Sequence, residues 1–263
     1  MRKIYIFDVD GTLTPSRRKM TEDFLEFFNG WSKRNDFYLV SGSDLEKMKE
    51  QVPEFILERA NGLFTCGGNQ FWKEGNTKQW PNDWKLIYEN IFEPPKTLID
   101  YLEERLENSK YPTRAGNHIE NRGAMLNFSV VGRDCTLEQR KDYFEWDNKN
   151  KERIMISKGI QFGWGDLDAV IGGQISIDIA PKGNDKSQVI NEIKKRIDNK
   201  VPSIPRYDYE YIFIGDRTME GGNDYPLAKV MKEMDDCKVY QAGEPSAEDG
   251  YKRTQEILEE LND

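Results

Sequence analysis

The chain has 263 residues, enough for two modest domains, and its hydrophobic content of 37%, with 12% aromatic residues, argues against a chain that is disordered throughout. Its formal net charge of -9 argues against a nucleic-acid-binding surface, which needs clustered basic residues. Cys66, Cys135 and Cys237 are widely spaced and predict a reducing compartment without a structural zinc site. Met1-Arg2-Lys3 leads directly into an apolar run and no run reaches membrane-spanning length, so we expect a cytoplasmic protein without a membrane partner.

The apolar run Tyr5–Phe7 predicts a buried parallel strand that ends in two carboxylates. Asp8 and Asp10 are one residue apart, so in extended backbone their side chains leave the strand on the same side, where open α/β sheets bind ligands. One carboxylate can attack a phosphorus atom while the other moves a proton. The alternative is an acidic turn after a core strand, but the string Asp-x-Asp-Gly-Thr-Leu after an apolar strand favours a functional site.

The next predicted elements are a helix that Thr21 caps and that runs to about Trp31, and a core strand over Phe37–Val40. Two serines after that strand have competing interpretations. Ser43, with a glutamate three residues later, fits a capping box, which is a structural role. Ser41 follows the strand directly and is better placed to donate to a phosphoryl oxygen. We therefore favour Ser41 for the chemistry.

Further along, Leu63–Cys66 is a predicted strand, and a hairpin is expected around Gly75-Asn76. The pattern changes at about Asp83, after which strands alternate strictly between apolar and polar residues. In Met125–Val130 and Gln174–Ile179 every second residue is apolar, so one face of each strand is expected to be packed and the other open. This alternation predicts an antiparallel sheet.

Helices accompany these alternating strands. Pro94-Pro95 opens one of them, and Thr136, with a glutamine three residues later, predicts a capping box for another. We therefore predict an α+β cap domain at residues 83–181, inserted into a core formed by residues 1–82 and 182–263. The expected fold class is α/β: a Rossmann-like core with a parallel sheet, plus an inserted α+β cap with an antiparallel sheet.

Continuous apolar runs return after residue 181. A helix is expected over Asn184–Asn199, and a buried strand over Tyr211–Ile214 that ends in Gly215-Asp216-Arg217. Val239-Tyr240 is the last predicted strand, and Ser246 is the expected cap of the C-terminal helix.

Polar side chains at three strand ends are expected to converge, because the carboxyl ends of parallel strands share one edge of a sheet. They are Asp8 with Asp10, then Ser41, then Asp216. Carboxylates at one point repel one another unless a cation is present, and oxygen ligands together with phosphate favour Mg²⁺. Lys186, predicted to start the helix after the insert, is placed to offset the charge of Asp8 and of a phosphoryl group.

The insert carries a second group of polar residues, which could hold a sugar phosphate. Arginine forks bind phosphate through two parallel hydrogen bonds, although a solvated surface is the more common role for isolated arginines. The group consists of Arg122, Arg133 and Arg140, with Asn127, Ser176 and Asp178 as candidates for binding sugar hydroxyls.

Taken together, these strings resemble the eukaryotic-type phosphomannomutases of the haloacid-dehalogenase (HAD) superfamily. The resemblance covers nearly the whole chain. It rests on Phe7–Pro15 with Arg17, Arg122 with Met125–Asn127, Gly132–Cys135 with Arg140, Gly172–Asp178, and Gly215–Asp224.

The resemblance implies a Mg²⁺-dependent mutase that interconverts mannose 6-phosphate and mannose 1-phosphate through an aspartyl-phosphate and a hexose bisphosphate, with the bisphosphate as activator and GDP-mannose synthesis as the consumer. It also implies a homodimer formed through the cap. The implied roles are Asp8 as nucleophile, Asp10 as acid/base, and Asp8, the Asp10 main chain and Asp216 as metal ligands. The implied contacts of the hexose phosphate substrate are Arg17, Arg122, Arg133, Arg140, Ser176 and Asp178. Lys186 and Ser41 remain catalytic candidates because of their positions, and Ser41 stands where this family usually has glycine.

Some positions depart from the family pattern. Arg217 stands where the family has lysine, and Tyr225–Ala228 differs from the family's cation-binding loop, which puts a second cation site in question. Two alternatives stay open: a sugar-phosphate phosphatase on the same core, and a sugar-phosphate-binding protein that has lost catalysis. The catalytic residues that match the motif argue against the second.

Overall fold

The computed structural model describes residues 1–75, 84–198, 208–244 and 249–262. Four predicted features lie wholly or partly outside these ranges: the hairpin around Gly75-Asn76, the boundary at Asp83, the helix end at Asn199 and the Ser246 cap. Within the described ranges, no helix combines the length and the apolar character that crossing a membrane would need.

The described residues form eleven strands and nine α-helices. The strands are β1 (Arg2–Asp8), β2 (Asp36–Val40), β3 (Leu63–Thr65), β4 (Gln70–Glu74), β5 (Trp84–Glu89), β6 (Ile119–Asn121), β7 (Leu126–Ser129), β8 (Leu167–Gly172), β9 (Ser176–Pro181), β10 (Tyr209–Gly215) and β11 (Cys237–Gln241). The helices are α1 (Glu22–Ser32), α2 (Leu45–Gln51), α3 (Glu54–Leu57), α4 (Lys96–Asn108), α5 (Leu137–Asn150), α6 (Glu152–Gly163), α7 (Gln188–Asp198), α8 (Tyr225–Lys232) and α9 (Gly250–Asn262).

The chain divides into two compact units. The first comprises Met1–Glu89, Asp185–Glu220 and Asp224–Asp263, and the second comprises Asn90–Asn184 and Gly221–Asn223. These bounds differ from the predicted ones because β5, which the sequence analysis assigned to the cap, pairs with β4 in the first unit.

The first unit contains a seven-stranded sheet in the order β11-β10-β1-β2-β3-β4-β5. The strands from β11 to β3 are parallel, whereas β4 and β5 extend the sheet as antiparallel strands. The predicted parallel core sheet is therefore confirmed, with an antiparallel edge added to it. β1 lies between β10 and β2, so the ends of these three strands adjoin at one edge of the sheet.

Both faces of β1 are covered, which explains why its sequence is continuously apolar. Tyr5 and Phe7 belong to an aromatic core with residues of α1, including Trp31, whose ring stands edge-on to both at centroid distances of 4.7 and 5.4 Å. Ile4 and Ile6 belong to a second core, which contains the apolar residues of α7. Packing on both faces holds the end of β1, and with it Asp8, in a fixed position.

The second unit contains the predicted antiparallel sheet, in the order β6-β7-β9-β8. Its core includes apolar residues of α4 and α6, such as Leu98 and Ile160, with Phe128 and Ile177 from the sheet. The expectation of an open polar face is wrong for β7, because Asn127 is buried and its Nδ2 donates to Asp178 Oδ1 at 2.5 Å. The hydrogen bond to Asp178 satisfies the amide nitrogen of Asn127 at this packed position, whereas its Oδ1 is buried without a hydrogen-bond partner among the described residues.

The capping residues predicted from the sequence can be compared with those at the observed helix starts. The capping box at Thr136 is confirmed: Gln139 N–H donates to Thr136 Oγ1 at 3.2 Å, and Thr136 N–H donates to Gln139 Oε1 at 2.9 Å. The capping box at Ser43 is wrong, because Asp44 caps α2 by accepting from Lys47 N–H at 2.9 Å. Asp44 lies one position after Ser43, and its carboxylate accepts from the amide three residues further on, as N-cap side chains commonly do.

Two further helix starts differ in detail from the sequence analysis. α1 begins directly after Thr21, as predicted, but the Thr21 side chain makes no capping hydrogen bond. α7 begins at Gln188 rather than at Asn184, so Lys186 lies in the turn before the helix. In that turn the Asp185 carboxylate accepts from Ser187 N–H at 2.7 Å, which competes with helical geometry.

Candidate active site

The turn after β1 is shaped by one carbonyl and one glycine. Thr12, Leu13 and Thr14 all donate their N–H groups to the Val9 carbonyl, at 3.0 to 3.2 Å. Gly11 has φ of +78°, and a Cβ at that position would lie 2.6 Å from Asp216 Oδ2. Glycine is therefore required both by the backbone conformation and by the close approach of the Asp216 carboxylate.

Lys186 connects two buried carboxylates. Its Nζ donates to Asp8 Oδ1 at 2.5 Å and to Asp224 Oδ1 at 2.6 Å, and its side chain is only 2% exposed. Asp8 lies at the end of β1, whereas Asp224 immediately precedes α8. Lysine is almost never fully buried unless it is paired, so these two contacts account for its position. The predicted proximity of Lys186 to Asp8 agrees with this geometry.

Asp8, Asp216 and Asp224 form a buried cluster in which each residue offers a carboxylate oxygen within 4.8 Å of the other two. An oxygen-only donor set of this kind fits a hard divalent cation. The sequence analysis named Asp8, the Asp10 main chain and Asp216 as ligands; the cluster found among the described residues contains Asp224 in addition. Asp224 appeared in the sequence analysis only as the end of a motif, and its closeness to Lys186 was not foreseen.

The charges in this cluster perturb one another strongly. Burial, followed by repulsion from Asp224, raises the pKa of the Asp8 carboxyl well above its usual range, although Lys186 opposes the shift. Burial disfavours the ammonium of Lys186, but Asp224 and Asp8 together raise its pKa above the ordinary value. Lys186 is therefore a fixed positive charge at neutral pH, and a cation at the cluster would favour the ionised form of Asp8.

Asp10 has different surroundings from Asp8. Its Oδ1 accepts from the backbone N–H of Arg17 at 2.6 Å and from Gln51 Nε2 at 2.9 Å. Gln51 is the last residue of α2, is buried, and also donates to Thr14 Oγ1 at 3.3 Å. Both donors reach the same oxygen, so contacts at Oδ1 set the orientation of the carboxylate. Sequence reasoning missed Gln51, because a glutamine at the end of a helix carries no motif.

Ser41 lies where the sequence analysis placed it, directly after β2, and it is buried. Its Oγ accepts from Ser43 N–H at 3.0 Å, and its backbone N–H donates to the Phe64 carbonyl at 2.9 Å. The Ser41 oxygen already accepts from Ser43, and the hydroxyl has one hydrogen to donate. Ser41 can therefore act as a hydrogen-bond donor to a ligand.

In the second unit, the Glu120 carboxylate contacts two of the three predicted arginines. Glu120 Oε2 accepts from Arg122 Nε at 2.9 Å and lies 3.5 Å from Arg133 Nε. Both guanidinium groups are largely buried, with side chains 6% and 9% exposed. Arg140 lies on α5 and is also buried. Glu120 was not foreseen, although it lies on β6 only two residues before Arg122, which follows that strand directly.

Ser176 and Asp178, the other predicted substrate contacts of this unit, lie on β9, just after the turn that joins it to β8. Ser176 Oγ donates to the Gly172 carbonyl at 2.9 Å, and Asp178 accepts from Asn127. Arg153 supports this turn: its Nη1 donates to the Gly173 carbonyl at 3.2 Å, and its Nε to Asp147 Oδ2 at 2.7 Å. The predicted site residues therefore form two sets, one in each unit: Asp8, Asp10, Arg17, Ser41, Lys186 and Asp216 in the first, and Arg122, Arg133, Arg140, Ser176 and Asp178 in the second.

Comparison with protein families gives one match to a family model. Residues 24–260 match the model described as eukaryotic phosphomannomutase. A phosphomannomutase of Encephalitozoon cuniculi is 34% identical over 262 residues, which cover 99% of this chain and 95% of that protein. A phosphomannomutase of Drosophila melanogaster is 35% identical over 236 residues, which cover 85% of each chain.

Solved structures agree with the fold. A sugar phosphatase of HAD subclass IIB superposes with a TM-score of 0.56 at 15% identity, and the match covers 99% of both chains. The IMP-nucleotidase of Plasmodium falciparum, truncated at its N-terminus and bound to IMP, superposes with a TM-score of 0.62 at 14% identity, covering 99% of this chain and 68% of that one. At such identities the likeness shows a shared fold, and it confirms the HAD-type α/β architecture predicted from the sequence.

Proposed function

Since this chain belongs to the eukaryotic phosphomannomutase family, we propose that it interconverts mannose 6-phosphate and mannose 1-phosphate. The observation that carries the proposal is the buried arrangement of Asp8, Lys186 and Asp224 at the carboxyl edge of the parallel sheet. It combines an aspartate that can act as a nucleophile with a fixed positive charge beside it.

In the proposed reaction, Asp8 attacks the phosphorus of a hexose bisphosphate and forms an aspartyl-phosphate. The bond from phosphorus to the sugar oxygen breaks, and Asp10 gives that oxygen its proton. The reverse step starts from the other isomer: Asp10 removes the proton of its free hydroxyl, and that oxygen takes the phosphoryl group from Asp8. One half-reaction converts the bisphosphate into a mannose phosphate, and the other converts the isomeric mannose phosphate into the bisphosphate. The bisphosphate is thus regenerated, so a catalytic amount maintains the cycle.

Lys186 and Ser41 are proposed to assist the transfer. The Lys186 ammonium is held against Asp8, where it can offset the charge of the phosphoryl oxygens, and Ser41 can donate a hydrogen bond to one of them. Asp8 and Asp216, with the Asp10 main chain, are the proposed Mg²⁺ ligands, and the structure adds Asp224 as a fourth candidate group near them. Bound Mg²⁺ would neutralise charge on the transferring group.

A mutase needs a second phosphate site, because a bisphosphate must bind in two opposite orientations while one of its phosphates is away from Asp8. Arg122 and Arg133 support this requirement, since Glu120 holds both guanidinium groups near one point. A guanidinium group that pairs with a carboxylate can also pair with a phosphate, because the two pairs have similar geometry. Arg17, Arg140, Ser176 and Asp178 are proposed as further contacts of the sugar phosphate.

The experiment that tests the proposal follows two products from mannose 1-phosphate in parallel, mannose 6-phosphate and inorganic phosphate, with and without a hexose 1,6-bisphosphate. We expect mannose 6-phosphate to dominate and the bisphosphate to activate. Arg133→Ala should lower kcat/KM about 10- to 100-fold, the loss of one charged hydrogen-bonding contact, and should increase the share of phosphate released. Lys141→Ala, which removes an exposed positive charge on α5, is the matched control.

A sugar-phosphate phosphatase is the alternative function on this fold. Release of phosphate alone by the wild type, or unchanged product ratios in Arg133→Ala, would favour the phosphatase. Glucose 1-phosphate assayed beside mannose 1-phosphate decides the sugar preference. Dimer formation through the second unit, activation by hexose bisphosphate and supply of mannose 1-phosphate for GDP-mannose synthesis are further parts of this proposal and rest on the family resemblance.

A further inference from the structure

Gln241, the last residue of β11, uses every hydrogen-bonding position of its side-chain amide. Its Nε2 donates to the Asp216 carbonyl at 2.5 Å and to the Gly243 carbonyl at 2.9 Å. Its Oε1 accepts from the Thr218 hydroxyl, and from Thr218 N–H at 3.3 Å. A carboxamide offers two N–H donors and one oxygen with two lone pairs, so its capacity is fully used.

Three of these four hydrogen bonds reach the segment from Asp216 to Thr218, which follows β10 and carries one carboxylate of the acidic cluster. The remaining residue of that segment, Arg217, donates its N–H to Asp224 Oδ2 at 3.0 Å. Gln241 and Asp224 therefore hold consecutive residues of one short loop. The loop has little room to shift, because the Asp216 carboxylate already lies 2.6 Å from the position of a Cβ on Gly11.

The geometry points to Gln241 as a positioning residue that presents the Asp216 carboxylate to the cation of the proposed function. Gln241 does not touch the cation; it fixes the main chain directly after the Asp216 side chain, at the Asp216 carbonyl and at Thr218. Groups that orient a ligand in this manner set metal affinity, because an unconstrained ligand has to be ordered when the cation binds. The inference rests on the proposed role of Asp216, but it concerns cation binding and not the identity of the sugar.

The chemistry of the position also explains why an amide is suited to it. The groups around Gln241 include two carbonyls, which need donors, and one hydroxyl with one N–H, which need an acceptor. A carboxylate at this position would lose both donors and add negative charge behind a cluster of three aspartates. A hydroxyl side chain is too short to span the loop.

The test measures cation binding directly. Gln241→Met keeps the length of the side chain and removes all four hydrogen bonds. Mn²⁺ is titrated into metal-free protein and followed by the electron paramagnetic resonance signal of the free ion, and Mg²⁺ binding is measured by calorimetry. We expect the dissociation constant for both ions to rise about tenfold, with a matching rise in the Mg²⁺ concentration that half-saturates turnover, while kcat at saturating Mg²⁺ changes less than threefold.

Two variants complete the design. Gln255→Met, on the exposed face of α9 where Gln255 donates to Glu259, is the control and should leave cation affinity unchanged. Thr218→Val removes one hydrogen bond of the four and should weaken cation binding by a smaller factor, which keeps the inference testable if Gln241→Met fails to fold.

A purely structural role for Gln241 predicts a lower melting temperature with unchanged Mn²⁺ affinity, and that result in either variant would overturn the inference. The outcome for the proposed function is separate. A wild type that binds Mn²⁺ through this cluster but forms no mannose 6-phosphate would contradict the mutase activity and leave the Gln241 result standing. A wild type that turns over without any divalent cation would contradict the premise of the inference.

Discussion

Lys186→Met is expected to destabilise the protein strongly unless a divalent cation is present. The substitution keeps a linear side chain of similar length but removes the ammonium that contacts Asp8 at 2.5 Å and Asp224 at 2.6 Å. In the variant, three buried carboxylates, Asp8, Asp216 and Asp224, would still lie within 4.8 Å of one another, but Asp8 and Asp224 would have lost the ammonium between them.

The magnitude follows from the cost of breaking a buried ion pair, about 3–5 kcal/mol when one partner is removed. The Asp8 carboxyl, with its pKa already raised by burial and by Asp224, can take up a proton and so limit the loss. We therefore expect the free energy of unfolding of the metal-free protein at pH 8 to fall by about 3 kcal/mol. For 150–250 residues unfolding cooperatively, that corresponds to a melting temperature about 6–12 °C lower.

The sign of the pH dependence is also determined. Carboxyl groups whose pKa is raised in the folded state contribute stability at pH values below their unfolded pKa, and this stability is lost as pH rises through the folded pKa. Removing Lys186 raises the pKa of the Asp8 carboxyl further, since Lys186 opposes the shift. The destabilisation should therefore be larger at pH 8 than at pH 5.

The assay is urea or thermal unfolding of wild type and variant, with EDTA and with Mg²⁺. A cation that binds only the folded protein stabilises it by about 2.7 kcal/mol at a concentration 100 times its dissociation constant, and we expect Mg²⁺ to stabilise the variant more than the wild type because it replaces the missing charge. Lys194→Met is the control: Lys194 contacts Asp236 at 2.7 Å, but both side chains are partly exposed, so its loss should cost under about 1 kcal/mol. Equal destabilisation of the two variants without metal would refute the reasoning.

Three further predictions concern single residues. Asp8→Asn should abolish turnover without lowering the melting temperature of the metal-free protein, because burial and Asp224 disfavour the Asp8 carboxylate there; normal activity would exclude Asp8 as the nucleophile. Asp10→Asn should lower turnover about 10²–10⁴-fold, less for a phosphate ester with a very good leaving group, and equal losses on good and poor leaving groups would contradict the acid role. Partial burial raises the pKa of the Cys237 thiol to about 12, so iodoacetamide at pH 8 should modify it on the order of 10²-fold more slowly than free cysteine, and a rate equal to that of the free amino acid would contradict the raised pKa.

The parts of the fold that follow from the sequence are those whose signals are local. β1, β2 and β10 are short apolar runs covered on both faces, and each is followed by the polar residue that the sequence analysis selected. β5 was assigned to the wrong unit because its residues are half-exposed or exposed, as suits an edge strand, and its sequence does not show which sheet it joins. The start of α2 was misplaced for another reason. Ser43 and Asp44 are adjacent and both are of residue types that cap helices, so only small differences in geometry decide which of them does so.

The parts of the site that could not be predicted are contacts between residues far apart in the chain. Gln51 donates to Asp10 across 41 positions, and Lys186 donates to Asp224 across 38. The proximity of Lys186 to Asp8 was predicted from the place of Lys186 after the insert, whereas Gln51 and Gln241 belong to no motif and act through ordinary amide hydrogen bonds. A side chain whose role is to orient another carries no signal of its own in a single sequence.

Charge balance explains why the acidic cluster needs each of its members. When all are ionised, the three carboxylates and the Lys186 ammonium together carry a formal charge of minus two, which is the charge that one divalent cation offsets. Without Lys186 a bound divalent cation would leave a net negative charge on the three carboxylates, which would repel a phosphoryl group. Without Asp224 the Lys186 ammonium would no longer be shared, and it would hold the Asp8 carboxylate more tightly. Sharing Lys186 between Asp8 and Asp224 leaves Asp8 partly compensated, and that is the state in which a carboxylate can both bind beside a cation and attack phosphorus.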